Sequence, residues 1–231
     1  MSTVTAFEAE RQAMVEQQLR SRAIRSERVL NAMARVPRHE FVPAPQVAAA
    51  YDDRALPIGT WETISQPYIV ALMTEAAAVR TGDHLLEIGA GAGYQAAVLA
   101  YLGAQVHTVE RNPELAEEAR HRLVRLGYGS AVTVITGDGS QGHPEAAPYD
   151  AILVTAASPR VPQALLDQLA DGGRMVIPVG NRLMQQLRLI VKAGERTVDR
   201  VLTGCQFIPL VGKEGWSEAG AETSPWQWRR W

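Results

Sequence analysis

Cysteine is almost missing from this 231-residue sequence: Cys205 stands alone, which excludes an intrachain disulfide and fits a reducing compartment. The cytoplasm is the expected location. An excess of one charge sign is also lacking, with 23 Lys and Arg against 25 Asp and Glu and a formal net charge of −2. Without a broad positive field to grip a phosphate backbone, nucleic acid is not the expected partner. No run approaches the ~20 apolar residues of a membrane span, and Glu8, Glu10 and Arg11 occupy the stretch where a signal peptide would be apolar. A soluble chain with no membrane partner is therefore expected. The five histidines, His39, His84, His107, His121 and His143, have no metal-ligand spacing, and with Cys205 isolated no metal site is expected.

A 46% hydrophobic share is enough for one substantial α/β core. From Phe7 to Arg35 the apolar positions recur at helical spacing, with Ser26 placed to cap a second helix. Pro37, Pro43 and Pro45 end that prelude, and the Gly, Pro and Asp content of Tyr51 to Gln66 predicts an ordered loop of functional length. Tyr68 to Val79 reads as helix. Short β-runs then alternate with helices: strands at His84–Ile88, Gln105–Val109, Val132–Thr136, Ala151–Val154, Arg174–Val179, Gln186–Lys192 and Cys205–Leu210, helices near Gln95–Leu102, Pro113–Leu126 and Val161–Leu169. Gly103, Gly127 and Gly172 stand where glycines end helices.

This alternation predicts an α/β fold, a doubly wound, mostly parallel seven-stranded sheet with N-terminal helices. It is the Rossmann-like plan of class I methyltransferases, whose sheet closes on an antiparallel hairpin; the order of the last two strands stays open. The expected division is 1–80 for the helical and acceptor-loop segment packed on the same domain, 81–216 for the core, and 217–231 for a Trp-rich tail. That tail, ending in Trp226, Trp228 and Trp231, is either docked on the body, part of an acceptor groove or a partner contact.

Chemistry concentrates at three expected strand ends. Gly89, Gly91 and Gly93 follow the first run as G-x-G-x-G, letting a ligand approach bare backbone, while Tyr94 stands where a dinucleotide fingerprint wants glycine. The loop suits the methionine part of S-adenosyl-L-methionine better than a pyrophosphate, although a tight structural turn would look the same. Glu110 follows the second run, placed either to accept from both ribose hydroxyls or to cap the next helix. Asp138 lies between Gly137 and Gly139 after the third, where a carboxylate could accept from an adenine amino group or merely close a turn. All three fall where open parallel sheets bind ligands.

Several segments are similar to bacterial protein-L-isoaspartate O-methyltransferases. Val-Pro-Arg-His-Glu-Phe-Val-Pro at 36–43 and Thr-Ile-Ser-Gln-Pro at 63–67 are the most specific; the others include Leu-Glu-Ile-Gly-Ala-Gly-Ala-Gly-Tyr at 86–94, Val-Glu-Arg-Asn-Pro at 109–113 and Gly-Asp-Gly at 137–139. The likeness spans about residues 12–216. It implies an S-adenosyl-L-methionine-dependent enzyme that methylates the free α-carboxylate of isoaspartyl residues in damaged proteins, starting repair through a succinimide. It further implies that Glu87, Gly89 and Gly91 line the methionine end, Glu110 the ribose, and Asp138 and Gly139 the adenine, with Thr63, Ile64 and Arg111 also on the cofactor. Ser65 would sit beside the acceptor carboxylate, and Gln206 to Leu210 beside the acceptor peptide. A monomer or weak homo-oligomer is expected. Two rivals share the fold: a methyltransferase acting on another acceptor, such as a carboxylate of a biosynthetic peptide, and a binding module without turnover.

Overall fold

In the computed structural model, which describes residues 3–218, the chain opens with α1 (Thr3–Met14), an irregular continuation to Arg22, and α2 (Glu27–Arg35). Ser26 caps α2 as its position requires, its hydroxyl accepting from the Val29 N–H at 3.4 Å. Val29, Leu30, Ala32 and Met33 form the buried stripe. Tyr51 to Gln66 is ordered and non-helical, folded around a small antiparallel hairpin of β1 (Leu56–Pro57) and β2 (Thr63–Ile64). Pro67 then starts α3 (Pro67–Ala77), where its missing N–H costs nothing.

The main sheet contains β3 (His84–Ile88), β4 (Gln105–Glu110), β5 (Val132–Thr136), β6 (Tyr149–Val154), β7 (Leu169–Gly180), β8 (Gln185–Ala193) and β9 (Arg196–Cys205). Helices α4 (Tyr94–Tyr101), α5 (Pro113–Arg125) and α6 (Gln163–Asp167) connect its parallel members. Strand order is β5-β4-β3-β6-β7-β8-β9. The first five run parallel, and β7, β8 and β9 form an antiparallel meander, which settles the order of the last two. Alternation puts Leu85 on one face with Val98, Val106 and Leu153, and Leu86 and Ile88 on the other with Ile152, Val154 and Met175. Both faces are thus covered, as a parallel sheet demands. The chain winds outward from β3 to β5 and then crosses back to β6, so the topological switch lies at the carboxyl ends of β3 and β6.

Three expectations need correction. The last strand is Arg196–Cys205, not Cys205–Leu210: residues 196–201 are exposed on the sheet edge, so this strand lacks the apolar run that marks a buried one. Residues 206–210 leave the sheet instead, with the Ala157 N–H donating to the Ile208 carbonyl and the Leu210 N–H to the Ala157 carbonyl, both at 2.8 Å. The helix expected at Val161–Leu169 is only α6, because Leu169 already pairs with Tyr149 as the start of β7. Gly172 accordingly sits not at a helix end but in the irregularity between the Tyr149–Leu169 and Ala151–Arg174 pairs. The tryptophans at 226, 228 and 231 lie outside the described residues. No helix among the described residues is long and apolar enough to cross a membrane.

Candidate functional site

The turn after β3 is possible only with glycine. At Gly89, φ is +93°, and a β-carbon would stand 2.5 Å from Thr155 Oγ1. Thr155, just beyond β6, reaches across the switch point so that its hydroxyl meets the Ile88 and Gly89 carbonyls at 2.9 and 2.8 Å. Under this turn Glu87 is fully buried. Its Oε2 accepts from Thr108 Oγ1 at 2.6 Å, while Oε1 has no hydrogen-bond partner among the described residues. Burial pushes the Glu87 carboxyl up to about 8, the Thr108 hydrogen bond pulls it partly back, and Glu110 adds to the rise.

Glu110 ends β4 nearly buried. Its Oε2 accepts from the Gly91 N–H at 2.9 Å and Oε1 from the Asn112 N–H at 3.0 Å, so it organises the glycine loop itself. An ionised carboxylate has about four lone-pair positions, which leaves capacity for two more donors. Arg111 is turned away: its guanidinium pairs with Glu218 at the surface.

Asp138 follows β5 and is more heavily engaged. Ser140 N–H and Oγ reach Oδ1 at 2.9 and 2.7 Å; Gln141 Nε2 and the Lys213 N–H reach Oδ2 at 3.1 and 2.9 Å. Burial alone would raise this carboxyl, but the Lys213, Ser140 and Gln141 donors outweigh it and hold it below the usual range. Next to it, a β-carbon on Gly139 would lie 2.5 Å from Ile88 Cγ2, so backbone stays bare at both the β3 and β5 ends.

The 56–64 hairpin lies over this edge. Ile58 Cδ1 would be 3.3 Å from a β-carbon on Gly91, and Asn112 Nδ2 donates to Glu62 Oε1 at 3.4 Å. Thr63 and Ile64 form β2, Ile64 buried and Thr63 half-buried. Ser65 follows directly, half-buried, and among the described residues no hydrogen bond engages its hydroxyl. Before this segment, fully buried Arg38 donates from Nε to the Ala50 carbonyl at 2.8 Å and lies 5.0 Å from the Tyr94 ring centre. Burial lowers Arg38 to about 10. It braces the opening of the 51–66 segment against the first residue of α4.

Several participants carry no signature in the sequence. Glu214 accepts from the Gln163 N–H at 2.6 Å and so caps α6, its own N–H donating to Ser140 Oγ at 3.0 Å. Residues 206–216 are thereby pinned over the ends of β5 and β6, and Trp216 Nε1 donates to the Ala157 carbonyl at 3.1 Å. Thr155 offered no motif, only its place after an apolar strand. The structure also gathers three histidines that their spacing did not connect: His84 Nε2 lies 3.0 Å from His107 Nδ1, and His143 lies beside His107. Among the described residues, no group of three or more His, Cys, Asp or Glu side chains is arranged to hold a metal ion.

Residues 9–215 match the family described as protein-L-isoaspartate(D-aspartate) O-methyltransferase. Proteins named protein-L-isoaspartate O-methyltransferase from Methanoculleus marisnigri and Koribacter versatilis are 54% and 53% identical, each over 94% of this chain and 96% and 97% of their own. A solved structure of a protein-L-isoaspartate O-methyltransferase superposes with a TM-score of 0.81 at 31% identity, covering 88% of this chain and 67% of that one. A Plasmodium falciparum protein solved with S-adenosyl-L-homocysteine shares the fold, with a TM-score of 0.77 at 24% identity over 87% of this chain and 98% of its own.

Proposed function

Because the chain belongs to the protein-L-isoaspartate(D-aspartate) O-methyltransferase family, we propose a division of its residues between methyl donor and acceptor. The activity is methyl transfer from S-adenosyl-L-methionine to the free α-carboxylate of isoaspartyl residues in proteins. The residues present fit that cofactor: bare backbone at two strand ends, Glu110 with two free lone-pair positions, and an unpartnered Glu87 oxygen. When bound, it supplies an electrophilic methyl group on a positively charged sulfonium.

In this reading Glu87, Gly89 and Gly91 would line the methionine end, Glu110 would take both ribose hydroxyls, and Thr63, Ile64 and the main chain of Arg111 would flank the cofactor, the Arg111 guanidinium being held by Glu218. Asp138 and Gly139 meet the adenine. Since four donors already fill Asp138, an adenine amino group would replace Gln141, whose bond is the longest of the four at 3.1 Å. Residues 1–80 carry the acceptor loop, 81–216 the core with most of the donor site, and 217–231 the Trp-rich tail.

The acceptor carboxylate, which ordinarily titrates at about pH 4, is already ionised at neutral pH and needs no general base. What remains is placement. Ser65 donates its hydroxyl proton to one carboxylate oxygen and orients the other toward the methyl group; the observation that carries this role is a hydroxyl with no competing hydrogen bond among the described residues, directly after the hairpin that covers the donor loop. The product is a methyl ester beside a peptide amide. The backbone nitrogen attacks the ester carbonyl, the C–N bond closes a succinimide, and methoxide leaves with the amide proton as methanol. Hydrolysis of the ring returns part of the material to aspartate.

The test is transfer of labelled methyl to an isoaspartyl peptide, with its aspartyl counterpart as control. Label should enter only the first and leave as volatile methanol in mild base. Label retained through base would overturn the carboxylate assignment. A cytoplasmic monomer or weak homo-oligomer with no nucleic-acid or membrane partner completes the reading, supported by the near-balanced charge and by Cys205, whose thiol burial pushes up to about 12.

A further inference from the structure

Leucine and methionine are poor choices for a turn, where Gly, Asn, Asp and Ser satisfy the backbone better. Yet Leu183 and Met184 form the β7–β8 connection with 74% and 75% of their surface exposed. The turn that displays them is firmly built. Asn181 Oδ1 accepts from the N–H groups of both residues at 2.8 Å, and a β-carbon on Gly180 would collide with the Met184 carbonyl. None of this needs apolar side chains at 183 and 184, so their character is unexplained by the fold.

Their position is informative. The turn caps the carboxyl end of β7, where the Gly180 N–H donates to the Ser158 carbonyl at 3.0 Å and the Arg182 guanidinium lies 5.3 Å from the Trp216 ring centre. Ala157 and residues 208–210, bonded to each other, complete this rim. It is the same sheet end as Ser65 and the donor loop, on the side away from β4 and β5. Strands lie about 4.8 Å apart, so β8 is roughly 10 Å from β6, whose end meets the donor loop through Thr155 and Gly89, and that is the length of about three extended residues.

We propose that Leu183 and Met184 are an apolar shoulder of the acceptor groove, receiving an apolar side chain about three positions from the isoaspartyl residue. This rests on the acceptor assignment made above. Two side chains offer far less than the ~800 Å² per partner of a stable protein interface, so a second copy of the chain is the weaker occupant. Burial of a substrate side chain needs only a local patch, and an adaptable methionine suits a reader of varied sequences.

The experiment uses the full-length enzyme and isoaspartyl peptides in which one leucine is moved through the four positions on each side of the isoaspartate, with serine elsewhere. The expected result is a KM about fivefold lower when leucine stands about three residues away on one side, at unchanged kcat. In Leu183→Ser/Met184→Ser that advantage disappears, while KM for the all-serine peptide, cofactor affinity and melting temperature stay at wild-type values. Equal KM across the wild-type series, equal weakening for leucine and serine peptides in the variant, or a change of solution mass in the variant would overturn the shoulder. Failure of the wild type to methylate any of the peptides would overturn the acceptor reading itself.

Discussion

The donor and acceptor sides of one sheet edge are built on opposite principles. Over β3 to β6 the donor edge is braced from within, with Glu110 holding two loop amides, Asp138 four donors and Thr155 two carbonyls, and what stays open there is two lone-pair positions of Glu110 and the buried Glu87 Oε1. On the acceptor side, among the described residues no hydrogen bond engages the Ser65 hydroxyl, and Leu183 and Met184 face solvent. A cofactor of fixed shape rewards a rigid, preorganised pocket, whereas a protein acceptor of varied sequence rewards a few available groups on a firm base. The contrast predicts that damage to the donor side spreads into the loop and its stability, and that damage to the acceptor side stays in turnover.

The largest expected effect comes from Glu87. Its folded carboxyl titrates near 8, far above an unfolded glutamate, so between about pH 5 and 8 the folded state binds the extra proton. Stability must therefore fall as pH rises through this window, by up to about 1.4 kcal/mol per pH unit, and level off beyond it. Glu87→Gln should remove that slope in denaturant titrations and be the more stable protein at pH 8.5; an unchanged slope would mean that the buried acid is not its source. Next in size, Glu110→Ala should weaken S-adenosyl-L-methionine and S-adenosylhomocysteine by roughly 1.5–3 kcal/mol in calorimetry, because ribose and loop amides lose their acceptor together. Wild-type affinity in a folded variant would remove Glu110 from the site. Smaller again, Thr155→Val should cost about 1 kcal/mol of cofactor affinity by leaving the Gly89 carbonyl without its hydroxyl partner, with no change in peptide KM. A selective rise in peptide KM would place Thr155 on the acceptor side instead.

What the sequence revealed follows the same divide. Buried parallel strands write themselves as apolar runs, so β3 to β6 were legible within a residue or two, and the glycines and acids at their ends marked the donor edge. The solvent-facing strand β9 carries Arg196, Thr197, Asp199 and Arg200 and leaves no such mark, which is why the sequence places its start nine residues too late. Contacts that join distant segments were also silent: Glu214 capping α6, Lys213 closing on Asp138, and Thr155 bracing Gly89 each depend on how the chain returns to the edge. Ser65 drew attention only through the resemblance of its segment, since a lone serine before Gln-Pro has no chemical signature of its own.

The division between the two sides is tested most directly by measuring one variant, Ser65→Ala, in two ways: cofactor affinity by calorimetry and kcat/KM for an isoaspartyl peptide by methyl transfer. Loss of a hydrogen bond to a charged group predicts kcat/KM lower by about tenfold or more, with cofactor affinity within about twofold of wild type. Parallel loss of both would place Ser65 in the donor pocket and contradict the division.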